Sequence, residues 1–124
     1  MNGIVFFKTR ELGLIRNFYA SLLALPVWLE QDSCVIFKAG NQLLGFCAGE
    51  SSEICGTITF FFDGREQVDS AYKKLKSIAK TAPQENPAFK IYHFWATDPE
   101  GRTLEFQCFE QQLEPYLTLD EGLK

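Results

Sequence analysis

The feature that most constrains this chain is a pattern that occurs twice: a strand, an amphipathic helix, then three further strands. Ile4 to Thr9 reads as a strand, and Glu11 to Ala24 as a helix with Leu12, Ile15, Tyr19, Leu22 and Leu23 at helical spacing. Pro26 stops that helix, and strands follow at Val27 to Leu29, Cys34 to Lys38 and Gln42 to Cys47. After a small, polar linker at Gly49 to Glu53 the pattern restarts with a strand at Gly56 to Phe62. A helix spans Arg65 to Lys80, with Val68, Ala71, Tyr72, Leu75, Ile78 and Ala79 on one face and Lys73, Lys74 and Lys76 on the other, solvated one. Thr81 to Pro87 is an irregular connection with a poor edge strand, and strands run from Lys90 to Thr97 and Thr103 to Phe109. A shift of 53 places Ile4 on Thr57, Phe7 on Phe60, Tyr19 on Tyr72 and Leu22 on Leu75; farther on, a shift of 61 places Gly40 on Gly101, Leu43 on Leu104, Leu44 on Glu105 and Cys47 on Cys108. Repeats of this kind set the fold before any other signal.

The expected class is therefore α+β: two tandem βαβββ modules, about residues 3–49 and 55–109, forming a curved eight-stranded mixed sheet with helices outside and a concave inner face. The whole chain, 1–124, reads as one domain with a tail at 110–124. That tail carries Leu113, Tyr116, Leu117 and Leu119 and suits a short helix or arm.

The last hairpin holds the chemistry. Two strand-like runs flank Asp98-Pro99-Glu100-Gly101, where proline and glycine supply turn dihedrals. Symmetric pairing about Glu100 sets Trp95 opposite Glu105 and His93 opposite Gln107, on one face. A carboxylate in mid-strand between Leu104 and Phe106 is unusual, because glutamate is depleted in strands and costly to bury unpaired. Glu105 and His93 are the candidate catalytic residues. Trp95, Gln107, Thr57, Thr59, Phe61, Phe6, Trp28, Phe37 and Phe46 are the candidate ligand-binding residues. Aromatic rings around one carboxylate and one imidazole suit a flat or aromatic ligand with a hydrogen-bonding or cationic group. An aromatic-rich sheet face serves equally as core or as a dimer interface, and Glu105 equally as a solvent-facing side chain.

Composition narrows the partners. The net charge is −4 with no basic stripe, which excludes nucleic acid. No apolar run approaches the roughly 18 residues of a membrane span, and the N-terminus reads as lacking a secretory signal. The cysteines at 34, 47, 55 and 108 form no Cys-x-x-Cys, so buried reduced thiols in a cytoplasmic protein are expected.

Two segments resemble the vicinal oxygen chelate superfamily, which includes glyoxalase I, bleomycin- and fosfomycin-resistance proteins and extradiol dioxygenases. Asn17-Phe18-Tyr19 through Leu25-Pro26-Val27 is similar to its helix-to-strand signature, with Ala24 where glycine is usual. Asp98-Pro99-Glu100-Gly101-Arg102 through Glu105-Phe106 is similar to its last hairpin. The resemblance implies metal ligands at Ile4, Leu44, Thr57 and Glu105, of which Glu105 alone is a good donor. It thus implies a metal-independent small-molecule binding protein of the bleomycin-resistance kind, homodimeric and without a cofactor. The competing readings are a lyase, isomerase or dioxygenase with a site rearranged around Glu105, and an interaction module whose concave face is filled.

Overall fold

The computed structural model describes residues 1–114, so the expected helix or arm around Tyr116, Leu117 and Leu119 lies outside the described residues. All eight expected strands are present: β1 (Ile4–Thr9), β2 (Val27–Gln31), β3 (Cys34–Ala39), β4 (Gln42–Ala48), β5 (Thr57–Phe62), β6 (Gln84–Asn86), β7 (Ile91–Thr97) and β8 (Thr103–Phe109). Hydrogen bonding divides them into two four-stranded sheets, ordered β1-β4-β3-β2 and β5-β8-β7-β6. The chain correspondingly forms two compact units, meeting in sequence between Ile54 and Cys55. Each unit is β-α-β-β-β with a mixed sheet, because its first strand pairs parallel with its last and the others pair antiparallel. Among the described residues no helix is long and apolar enough to cross a membrane.

In the first unit α1 (Leu12–Asn17) runs on into a π-helical turn at Phe18–Leu22. The expected single helix to Ala24 is thus shorter and widens at its end. The Leu23 amide donates to the Phe18 carbonyl and that of Leu25 to Tyr19, after which Ala24 takes a φ of +55° and redirects the chain. The wide turn sets Tyr19 onto the sheet, with its ring 4.6 Å from that of Phe46 and 5.9 Å from that of Phe37. Phe7 stacks on Phe46 at 6.0 Å. Ile15, Tyr19, Phe37, Leu44 and Phe46 are essentially inaccessible and make this unit's core.

The second unit repeats the arrangement. Beneath α2 (Arg65–Leu75), Tyr72 meets Phe94 edge-on at 5.4 Å, and Phe94, Phe106 and Phe60 stack in a row. The helix ends five residues before the expected Lys80, because the sheet claims the chain: Ala79 bridges Ala96, and the Lys80 amide donates to the Trp95 carbonyl. Arg65, in the first turn of α2, forks onto Glu110, reaches Glu85 at 2.7 Å and lies over the Tyr92 ring.

Two expectations are corrected. Cys34 and Cys47 are joined in a disulfide and are not reduced thiols; they are directly paired residues of β3 and β4, Cα atoms 4.1 Å apart. Cys55 is free and exposed, and Cys108 free and buried. The repeat also closes one residue differently. Phe7 pairs with Phe46 as Phe60 pairs with Phe106, so the later shift is sixty, not 61. The first-unit counterpart of Glu105 is therefore Gly45, and Leu44 points to the helix side with Phe46.

Candidate functional site

Side chains alternate across a strand. Since Phe94, Phe106 and Phe60 face α2, the residues between them face away from it: His93 and Trp95 on β7, Glu105 and Gln107 on β8, and Thr57, Thr59 and Phe61 on β5. The register is the expected one, Trp95 opposite Glu105 and His93 opposite Gln107, with Thr59 beside Glu105 on the parallel side.

The turn fixes that register. The Asp98 carboxylate accepts the backbone amides of Glu100 and Arg102, and Gly101 supplies a φ of +93° that a side-chain-bearing residue adopts only with strain. The Arg102 guanidinium, 1% exposed, contacts Asp98 at 3.1 Å and Glu100 at 2.8 Å. Sequence reasoning found the turn and missed this buried ion cluster. The aspartate opening a turn was the available signal, since its side chain commonly accepts amides two residues on.

On the site face Glu105 is 8% exposed and His93 4%. Oε2 of Glu105 lies 2.6 Å from Nδ1 of His93, and the Thr59 hydroxyl donates to Oε1 at 2.9 Å. A buried carboxylate accepts from both. Nδ1 therefore carries the proton, and in the neutral ring Nε2 is left as the acceptor. Nε2 makes no hydrogen bond among the described residues. The Trp95 ring stands edge-on to the imidazole at 5.3 Å. Gln107 is buried beside His93, while Phe61 is exposed and meets Phe109 edge-on at 5.6 Å, and Thr57 is exposed at the start of β5. The Trp95 backbone is pinned by Thr81, whose hydroxyl accepts its amide.

The first-unit candidates divide between the two sides of their own sheet. Phe37 and Phe46 are core residues under Tyr19, on the helix side of their sheet, because the alternation of β3 and β4 puts them there. Trp28 sits at an irregularity of β2, between Val27 and Leu29, and is exposed. Phe6 does face away from the helix, and its ring covers Gly45: a Cβ there would stand 2.4 Å from the ring. Where the second unit has Thr59 and Glu105, the first has an aromatic ring over a glycine.

The donor set does not fit a catalytic divalent metal. Glu105 and His93 are two donors, and they are spent on each other. Among the described residues no three His, Cys, Asp or Glu side chains come together, where such a site normally has about three protein ligands.

No protein-family model matches the chain, and no curated protein does. Solved structures match well. A glyoxalase/bleomycin resistance protein/dioxygenase from Nocardioides superposes with a TM-score of 0.74 at 15% identity, covering 94% of this chain and 87% of its own. A lactoylglutathione lyase from Agrobacterium tumefaciens gives 0.72 at 18%, covering 87% and 92%. An integron cassette protein from the mobile metagenome of the Halifax Harbour sewage outfall gives 0.76 at 16%, covering 88% and 98%. At such identities the likeness establishes the fold alone, the glyoxalase/bleomycin resistance fold.

Proposed function

We propose that this protein binds a small aromatic or amphipathic molecule, without a metal, against the site face of the second unit. The observation that carries this is the 2.6 Å contact between Glu105 and His93, with Thr59 securing the other carboxylate oxygen. Glutamate and threonine hold the imidazole in one tautomer, so His93 Nε2 is a fixed acceptor for a ligand O–H or N–H. Trp95 and Phe61 supply aromatic surface beside it.

The test is a thermal-shift screen of chelator-treated protein against aromatic metabolites and antibiotics carrying a hydroxyl or amine. Ligands that raise the melting temperature are then titrated against His93→Ala and Glu105→Gln. The expected result is binding weakened at least tenfold, about 1.4 kcal/mol. Hits that bind both variants as tightly as the wild type, or that need added metal, contradict the reading.

The same contact favours an enzymatic alternative. A carboxylate behind an imidazole is the arrangement of a general base, with Glu105 as the positioning group and His93 as the proton acceptor. A lyase, isomerase or dioxygenase of this fold then differs from a binder in one respect: mass spectrometry recovers its ligand chemically changed. The reading includes a cytoplasmic location and a homodimer, the dimer supported by the exposed Ile4, Val5 and Phe6 of β1 and Val27, Trp28 and Leu29 of β2, both edge strands. Sedimentation as a monomer at about 50 µM, the scale of ordinary weak-dimer affinities, counts against the dimer.

A further inference from the structure

We infer that Cys34 and Cys47 form a reversible dithiol–disulfide couple that exchanges with low-molecular-weight thiols while the protein stays folded.

Three observations carry this. The first is position. By the register of the two units, Cys34 and Cys47 occupy in the first sheet the places that His93 and Gln107 occupy in the second, on the side away from the helix. The pair lies on the unit's counterpart of the site face, and its polar equivalents face a ligand in our reading of the second unit. The second is access: both cysteines are partly exposed, unlike Cys108, whose thiol burial pushes above its usual range.

The third is redundancy. A disulfide that staples a fold constrains chain segments that would otherwise separate. Here the β3–β4 hairpin is held by its own six-residue register from Cys34↔Cys47 to Ala39↔Gln42, and Gly40, with a φ of +57°, turns it. Each strand is also paired on its other side, β3 with β2 and β4 with β1. Breaking the S–S bond leaves every one of these strand pairings intact. It also leaves the two sulfurs adjacent, ready to close again.

A thiolate RS⁻ attacks one cysteine sulfur, forming a mixed disulfide and releasing the other cysteine as thiolate. A second RS⁻ attacks the R-bearing sulfur, releasing RSSR and the second cysteine thiolate. Two electrons pass from two RS⁻ to the protein disulfide, and the two thiolates take up protons according to pH. Cytosolic disulfides are as a rule transient, sensing or catalytic, and a pair that cycles fits the cytoplasmic location proposed above.

The test uses the full chain, equilibrated without denaturant in buffers of 2-mercaptoethanol and its disulfide. Samples are acid-quenched and denatured, and the thiols are counted by alkylation and mass spectrometry. The titre should double from two thiols, Cys55 and Cys108, to four as the buffer becomes reducing, and return when it is reversed. Far-UV circular dichroism should stay unchanged throughout. A titre that stays at two until denaturant is added overturns the proposal, as does reduction that abolishes cooperative melting. The Cys34→Ser/Cys47→Ser double variant should fold and melt cooperatively; if it does not fold, the disulfide is a structural staple and the proposal fails.

Discussion

A carboxylate buried in mid-strand needs partners, and Glu105 has two. Burying either member of its pair with His93 alone leaves an unsatisfied polar group at a cost of about 1–3 kcal/mol, whereas replacing both by apolar residues of similar shape is near neutral. We therefore expect Glu105→Leu to lower the unfolding free energy by about that amount, and the Glu105→Leu/His93→Leu double variant to recover most of it. Urea melts of the four proteins in the cycle measure the coupling; strictly additive losses would show that the contact is not energetically real. Ala24 offers a second test. Its left-handed φ of +55° costs a residue with a Cβ about 1–2 kcal/mol, and glycine pays little of that. Ala24→Gly should raise stability by about 1 kcal/mol, provided the greater freedom of the unfolded glycine offsets only part of the gain. A drop in melting temperature would mean that the π-helical turn, not the dihedral, sets the strain.

At the scale of elements, the last hairpin is the part whose integrity positions the site. The buried Asp98–Arg102 pair closes the turn that sets Glu105 opposite Trp95. Removing one partner of such a pair costs about 3–5 kcal/mol. Asp98→Ala should cost that much in urea melts and weaken any ligand held by His93, while Asp63→Ala, exposed in a loop, should do neither. The cluster at the other end of β8 is exposed and behaves differently. Its hydrogen bond from Arg65 holds the Glu110 carboxyl below its usual range. A depressed folded value gives a stabilisation present above the ordinary carboxylate pKa of about 4.3 and lost as pH falls through the lower folded value. Melting temperatures followed from pH 7 down to pH 3 should therefore fall less steeply for Glu110→Gln than for wild type; parallel curves would mean that solvent screening leaves the pair nothing to contribute. Most elements were legible in the sequence because hydrophobic periodicity is local. The end of α2 was not, since a sheet contact from Ala79 and Lys80 to β7 overrides helix propensity. Nor was the π-helical turn, which depends on seating Tyr19 between Phe37 and Phe46.

On the scale of the whole molecule, the doubled βαβββ plan was readable from Tyr19/Tyr72 and Leu22/Leu75, and each half folds as that spacing implies. What the sequence concealed was the closing register. Apolar residues match apolar residues at either of two neighbouring shifts, and stacked Phe7–Phe46 and Phe60–Phe106 select the shorter. That single residue moves Phe37 and Phe46 into the core by alternation and sets Gly45 against Glu105. It also aligns Cys34–Cys47 with His93–Gln107. On the site face of the second unit Glu105 is committed to His93 and Thr59, and among the described residues no further His, Cys, Asp or Glu side chain is grouped with Glu105 and His93 to hold a metal. The most direct test is elemental analysis of the protein as isolated and after dialysis against Ni²⁺, Zn²⁺, Fe²⁺ or Mn²⁺, for wild type and Glu105→Ala. The expected result is no stoichiometric metal in either protein; about one equivalent in the wild type, lost in Glu105→Ala, would contradict the metal-independent reading.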